Sequence, residues 1–119
     1  MLCRIHTAGD EYRSIDALKG DMIAMWCNAT KPTVAVTWTR HTASSDVSYL
    51  YINGTFTSTH SRYSIQQHGN EHSLMIYNAQ VRDTGRYDCY QTDQLRRFGY
   101  ELNITGKEQT AAEVNLQPN

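Results

Sequence analysis

The chain has 119 residues and a formal net charge of −1, with 11 Lys and Arg against 12 Asp and Glu. A chain of this length can close a single hydrophobic core. The near-neutral charge excludes the strongly basic surface with which proteins neutralise nucleic-acid phosphates. No apolar run approaches the roughly 20 residues of a membrane-spanning helix. We therefore expect one domain that neither binds nucleic acid nor inserts this segment into a membrane.

Short segments of alternating apolar and polar residues follow one another along the chain and predict β-strands. In chain order the predicted strands are 20–27, 33–40, 47–52, 62–66, a segment that carries Leu74 and Ile76, 87–92 and 98–105. Turn residues separate them about every ten positions, which indicates an antiparallel β-sandwich. Residues 106–119 are polar and unpatterned, so we interpret them as a tail or linker.

The most specific pattern is the run Asp-Thr-Gly-Arg-Tyr-Asp-Cys at residues 83–89. It matches the D-x-G-x-Y-x-C motif of the immunoglobulin superfamily, and residues 20–27 resemble the second strand of that family. Trp38 lies between Cys27 and Cys89, which is the cysteine–tryptophan–cysteine order of immunoglobulin sandwiches. Over residues 8–105 the chain therefore resembles an immunoglobulin-like domain, an all-β antiparallel sandwich.

This resemblance implies that Cys27 and Cys89 form one disulfide between the two sheets. Closing a loop of about 63 residues stabilises a domain by roughly 4 kcal/mol in the chain-entropy model. The implied core residues are Trp38, Tyr87, Leu74 and Ile76, with Trp38 packed on the disulfide and the Tyr87 hydroxyl bound to nearby backbone. Cys3 has no partner in this scheme.

Two features favour the variable type of immunoglobulin domain, with the intermediate type as the alternative. Asn53–Gly54 directly follows the strand 47–52 and predicts a type I′ turn, with positive φ at both residues, into an additional hairpin strand. Arg62 and Asp83 have the separation at which variable-type domains form a salt bridge across one end of the sandwich. Phe98–Gly99 lacks the second glycine found in antibody and T-cell-receptor domains, so a rearranged receptor chain is excluded.

Three N-glycosylation sequons begin at Asn28, Asn53 and Asn103. All three are predicted to point outward, because Asn28 follows an inward cysteine, Asn53 lies in a turn and Asn103 alternates with apolar neighbours. Sequons together with a disulfide favour an oxidising, secretory route. We therefore expect an extracellular protein, either secreted or the ectodomain of a membrane protein.

The sequence contains no nucleophile elbow, phosphate-binding loop or dinucleotide-binding motif. His68 and His72 are four residues apart, but they flank a Gly–Asn turn, and no cysteine remains free to join them once Cys27 and Cys89 are bridged. We therefore expect a non-enzymatic protein without a cofactor or metal ion.

A binding face is predicted on the sheet that immunoglobulin domains build from their strands G, F, C and C′. The candidate partner-binding residues are Thr39, Tyr49, Tyr51 and Tyr90 on the strands and Leu95, Arg96 and Arg97 in the loop between strands F and G. Tyrosine suits recognition because its rigid ring buries a large area and keeps a hydrogen-bonding tip. Tyrosine is also common on exposed sheets, so strand propensity alone would explain the same pattern.

A second, apolar surface is predicted on the opposite sheet. Met22, Trp26, Met75 and Tyr77 all point away from the predicted core there. An exposed apolar stripe often marks an interface. The N-terminal segment or a glycan on Asn28 would cover the same stripe, which leaves two interpretations open.

Three hypotheses for function follow from these patterns. The first is a recognition module that binds another protein, such as a receptor, a ligand or an immune molecule, through the GFCC′ face; a homodimer is a further option. The second is a viral glycoprotein that binds a host immune molecule, because the chain resembles the single divergent V-like domains encoded by large DNA viruses. The third is a structural spacer within a multi-domain ectodomain.

Overall fold

The computed structural model describes residues 11–30, 34–42, 46–52, 54–57, 61–91 and 97–106. These ranges contain nine strands, β1 (Glu11–Leu18), β2 (Ile23–Met25), β3 (Val36–His41), β4 (Val47–Ile52), β5 (Thr55–Phe56), β6 (Tyr63–His68), β7 (Glu71–Ile76), β8 (Gly85–Gln91) and β9 (Arg97–Thr105). A single 3-10 turn, η1 (Val81–Asp83), precedes β8. One sheet has the order β1-β9-β8-β3-β4-β5 and the other has the order β2-β7-β6, so the predicted two-sheet sandwich is confirmed.

Strand β1 is the one element in this arrangement that the alternation pattern does not predict. It pairs in parallel with β9 along its whole length, from Glu11 opposite Phe98 to Leu18 opposite Thr105. Only Ile15 and Ala17 of this strand pack partly against the core. The apolar signal is therefore weak, and backbone pairing with β9 defines the strand.

The core lies between the sheets and contains the predicted residues. Cys27 and Cys89 form the predicted disulfide, with their Cα atoms 6.4 Å apart. Trp38, Leu74, Ile76 and Tyr87 are fully buried. The indole Nε1 of Trp38 donates a hydrogen bond to the carbonyl of His72 at 3.3 Å, so the one polar atom of this ring is satisfied.

Strand β2 is shorter than the predicted strand 20–27, and a side chain from the other sheet binds the backbone of the residue that follows it. The Tyr100 hydroxyl accepts a hydrogen bond from the Trp26 N–H at 3.0 Å and donates one to the Trp26 carbonyl at 2.8 Å. These two bonds satisfy both backbone groups of the residue that follows Met25. Tyr100 therefore links the two sheets, and pairing with the β7 segment resumes beyond Trp26 at the Cys27 carbonyl and the Asn28–Glu71 bridge.

A β-bulge between β3 and β4 changes the predicted orientation of β4. Trp38 pairs with Tyr51, but the next residue, Thr39, pairs with Tyr49, so Leu50 is the extra residue. Leu50 and Tyr51 both pack into the core, and Tyr51 makes an edge-to-face contact with Phe56 of β5. The prediction that Tyr51 is an outward, partner-binding residue is therefore wrong.

The predicted salt bridge closes one end of the sandwich. Arg62 donates to both carboxylate oxygens of Asp83, at 2.6 and 2.9 Å. The backbone N–H of Gln80 and the hydroxyl of Tyr63 donate to the same carboxylate at 2.7 and 2.9 Å. Burial would raise the pKa of the Asp83 carboxyl, but these hydrogen bonds outweigh it and lower that pKa below its ordinary value. The Tyr87 hydroxyl donates to the Asp83 carbonyl at 2.5 Å, which forms the expected tyrosine corner.

Candidate functional site

The side of the six-stranded sheet that points away from the core, called the outer face here, carries the most unusual chemistry of the described residues. Strand alternation builds it, because the core residues Tyr87 and Cys89 of β8 alternate with outward neighbours. The outward side chains near its centre are Tyr12 of β1, His41 of β3, Arg86, Asp88 and Tyr90 of β8, and Arg97 of β9. Tyr49 of β4 extends the face sideways.

A carboxylate is fully buried at the centre of the outer face. Asp88 is 0% exposed although it points away from the core. Its Oδ2 lies 3.1 Å from His41 Nε2 and 4.0 Å from Arg97 Nη1, and its Oδ1 lies 3.2 Å from Arg86 Nε. Burying a carboxylate is costly unless cations surround it. Asp88 therefore fixes three cationic or protonatable side chains around one point.

Gly99 makes room for this arrangement. A Cβ atom added at Gly99 would lie 2.6 Å from Tyr12 Cε1 and 2.7 Å from Asp88 Oδ1. Both distances are shorter than real side chains allow. The missing side chain at Gly99 therefore lets the Tyr12 ring pack directly above the sheet and cover Asp88.

Two arginines stack on tyrosines above the buried carboxylate. The guanidinium of Arg86 lies 5.1 Å from the centre of the Tyr12 ring, and that of Arg97 lies 5.4 Å from the centre of the Tyr90 ring. The arginine side chains remain 36% and 47% exposed, so solvent or a partner reaches them. Cation–π stacking and the Asp88 ion pairs hold both arginines in place.

Tyr90 is also tied to the neighbouring Tyr49. Burial raises the pKa of the Tyr90 hydroxyl, and a hydrogen bond with the Tyr49 hydroxyl raises it further. Tyr90 therefore stays protonated and contacts Tyr49 on one side and Arg97 on the other. Tyr49 itself is half exposed, so it presents ring surface at the edge of the group.

The structure places three of the seven predicted partner-binding residues on the outer face, namely Tyr49, Tyr90 and Arg97. Leu95 and Arg96 lie outside the described residues. The prediction for Thr39 is wrong as far as exposure is concerned, because its side chain is 3% exposed and lies among the larger side chains of the face. Thr39 Oγ1 lies 3.4 Å from His41 Nε2, so the buried Thr39 side chain contacts the outward His41 side chain.

The candidate set drawn from the sequence omits four residues of the outer face, namely Tyr12, His41, Arg86 and Asp88. Arg86 and Asp88 stand within the D-x-G-x-Y-x-C run, where alternation about the buried Tyr87 already places them outward. Tyr12 carries no such signal, because its position depends on the pairing of β1 with β9. Alternation about Tyr87 could therefore have identified Arg86 and Asp88 from the sequence. The position of Tyr12 follows only from the pairing of β1 with β9 in the structure.

Two of the three predicted glycosylation sequons are in the described residues. Asn28 and Asn103 are both exposed, as expected. Asn103 points outward on β9 because its neighbours Leu102 and Ile104 are buried. Asn53 lies outside the described residues, although Gly54 beside it has a φ of +92°, as the predicted turn requires.

The apolar surface predicted on the opposite sheet is interrupted. Met22, Trp26 and Tyr77 are exposed. Met75 between them lies outside the core cluster, as expected from its direction, but it is covered and only 5% exposed. The stripe is therefore discontinuous.

The described part of the chain offers no group of three metal-ligating side chains. His72 is buried, and burial lowers the pKa of its imidazole, which favours the neutral form in the core. Within the same residues, no helix has the length and apolar character needed to span a membrane.

Comparison with known families agrees with this architecture. The family model for the immunoglobulin I-set domain matches residues 7–115. This model describes the intermediate type, whereas the pair β4 and β5 beside β3 is the kind of addition that variable-type domains make to this sheet. No curated protein matches the chain. The chain belongs to the immunoglobulin I-set domain family.

Proposed function

We propose that this immunoglobulin domain is a non-enzymatic recognition module of an extracellular glycoprotein and that it binds a protein partner through the outer face. Domains of this family commonly serve protein–protein interaction, and the disulfide fits an oxidising compartment. The observation that carries the proposal is the pair of arginine–tyrosine stacks held by the buried Asp88.

These stacks have the properties of an interface centre. Arginine and tyrosine are enriched among the residues that contribute most to binding energy. Because Asp88 and the tyrosine rings already fix Arg86 and Arg97, less side-chain freedom is lost when a partner binds. The face therefore presents pre-organised hydrogen-bond donors beside flat aromatic surface, which suits a protein surface with carboxylate or carbonyl acceptors.

We also propose that the loop at residues 92–96 extends this face. The loop joins β8 to β9, and the residues at its two ends, Gln91 and Arg97, adjoin Tyr90. Leu95 and Arg96 would then add apolar and cationic groups at the same edge. By the same argument, the β4–β5 pair beside Tyr49 gives the face the width of a variable-type domain.

The test is a binding screen followed by matched substitutions. The soluble, glycosylated chain is screened against an array of cell-surface proteins, and the captured partner is titrated against Tyr90→Ala and Arg97→Ala. We expect each variant to weaken binding about tenfold or more, which corresponds to a loss of about 1.4 kcal/mol. Tyr77→Ala, an exposed tyrosine on the opposite sheet, is the control and should bind normally. Loss of binding in Tyr77→Ala alone would move the site to the other sheet.

The alternatives give different outcomes in the same experiment. A spacer domain would capture no partner at micromolar concentration. A homodimer would appear as a concentration-dependent mass that Tyr90→Ala reduces to that of a monomer. A host receptor and a viral immune-evasion glycoprotein would use the same face, and gene structure separates these two, since an intronless reading frame supports a viral origin.

A further inference from the structure

A hollow of about 820 Å³ lies on the outer face, beyond the arginine–tyrosine stacks. It occupies the half of the sheet in which β9 ends. Its lining is mostly polar and includes Ser14, Asp16, His41, Arg86, Glu101 and Asn103. The hollow therefore adjoins the Asp88 group at Arg86 and His41 and continues along β1 and β9.

Asn103, which lines this hollow, is the first residue of the sequon Asn103-Ile104-Thr105. It pairs with Asp16 across β1 and β9. Strand β9 is flanked by β1 and β8, so Asn103 stands within a sheet rather than on a loop. A glycan on this residue would start from the wall of the hollow and not from a projecting turn.

We propose that Asn103 carries an N-linked glycan and that the first sugars of this glycan lie in the hollow. The inference rests on the proposed extracellular function, because glycosylation requires the secretory route. In the modification, the Asn103 amide nitrogen forms a bond to C1 of the first N-acetylglucosamine. The bond from that carbon to a lipid-linked pyrophosphate donor breaks, and the amide proton leaves with the pyrophosphate.

The lining of the hollow suits the hydroxyl groups of a sugar. The carboxylates of Asp16 and Glu101 are exposed, and neither forms an ion pair or a side-chain hydrogen bond within the described part of the chain. Both are therefore available to accept hydrogen bonds from sugar hydroxyls. Arg86 at the far side offers donors to sugar oxygens.

A seated glycan would divide the outer face. Asn103 is six residues from Arg97 on the same strand, which corresponds to about 20 Å. The Tyr49, Tyr90 and Arg97 half would remain open to a partner. The hollow, with Arg86 at its edge, would be covered, so the Arg97–Tyr90 stack is the one of the two stacks that the partner would contact. The glycan would thus restrict the partner to one half of the sheet.

The experiment measures how well the protein protects this glycan. The chain is produced in glycosylating cells, occupancy of Asn103 is read by peptide mass spectrometry, and enzymatic release of the glycan is timed in the native and the unfolded chain. The same native measurement is made on the double variant Asp16→Ala/Glu101→Ala. The loss of one hydrogen bond corresponds to about a fivefold change, so we expect native release to be about 30-fold faster in the double variant, which loses two.

Two results would overturn the inference. One is an unmodified Asn103 in the secreted chain. The other is an equal rate of native release in the wild type and the double variant, which would mean that the glycan projects into solvent. A folded variant is verified by the intact Cys27–Cys89 disulfide and a cooperative thermal transition. Failure of the proposed function is distinct, because Asn103→Gln should leave the effect of Tyr90→Ala on partner binding in place.

Discussion

Two aspartates five positions apart, Asp83 and Asp88, are both buried, and both attract arginine and tyrosine, yet their surroundings differ. Asp83 receives four hydrogen bonds, two of them from Arg62, and every one of these donors helps to close the end of the sandwich. Asp88 is bordered by side chains whose outer parts remain exposed. The residues around Asp83 stabilise the fold, whereas Asp88 holds surface side chains in place.

Hydrogen-bond geometry separates the two groups further. Within the described residues, Asp88 Oδ1 and Arg86 Nε lack a partner with hydrogen-bond geometry, although they lie 3.2 Å from each other. An imperfectly satisfied buried carboxylate costs stability, and such costs concentrate at functional positions. This difference indicates that Asp83 serves stability and that Asp88 serves the outer face.

The largest expected effect is that of Asp83→Ala. The substitution leaves Arg62, Tyr63 and the Gln80 N–H without their common acceptor, so we expect unfolding free energy to fall by about 3–5 kcal/mol. Urea unfolding of the purified domain measures it. A fall below about 1 kcal/mol would show that the closed end of the sandwich depends on other contacts, and the contrast between the two aspartates would disappear.

Gly99→Ala should have the next largest effect. The new Cβ would meet the Tyr12 ring and Asp88 Oδ1, so Tyr12 has to move off the sheet. Overpacking of this kind costs about 1–3 kcal/mol. Thermal unfolding gives the cost, and hydrogen exchange along β1 reports whether the strand loosens. The matched change Gly106→Ala, where nothing lies within 4 Å of the added atom, should be nearly neutral.

Asp88→Asn sharpens the contrast between stability and binding. The neutral amide keeps the shape but removes the charge that holds Arg86 and Arg97, so we expect a loss of about 1–2 kcal/mol in stability. Partner affinity should fall about tenfold, which is a larger relative effect than Asp83→Asn would produce. Asp83→Asn, which removes the other buried carboxylate charge, serves as the control. Unchanged affinity in Asp88→Asn would remove Asp88 from the binding face.

Acid unfolding gives the smallest and most specific signal. The pKa of Asp83 is lower in the folded chain than the ordinary aspartate value of about 3.9. Its stabilising contribution is therefore complete above that value and is lost as the pH falls through the lower folded pKa. Wild type should lose stability more steeply than Asp83→Asn below about pH 4. Parallel slopes would show that the Asp83 pKa is not depressed.

Local patterns predicted much of the fold because they report directly on burial. Alternation about Tyr87 and Trp38, the two bridged cysteines and the Arg62–Asp83 spacing all agree with the structure. The alternation is a local signal. The disulfide pairing, the Arg62–Asp83 salt bridge and the position of β4 in the sheet of β3, β8 and β9 instead follow from the resemblance to immunoglobulin domains.

The errors share a different cause, which is pairing between distant segments. The bulge at Leu50 turns Tyr51 toward the core and Ile52 toward the outside, the reverse of the prediction. No residue type near the bulge predicts it. Thr39 is outward by alternation but buried by larger neighbours. Tyr12 enters the outer face only because β1 pairs with β9. Alternation predicts the direction of a side chain, but its exposure depends on what the adjacent strands place beside it.

The Tyr100 hydroxyl has a consequence for solubility. Strand β2 is an edge of the three-stranded sheet, and edges with open N–H and C=O groups recruit strands from other molecules. Tyr100 binds both backbone groups of Trp26, so these two groups at the edge are satisfied beside an exposed tryptophan and methionine. One phenol from the opposite sheet thus makes the backbone of Trp26 unavailable to a strand from another molecule, an effect that a charged residue or a proline has on other edges.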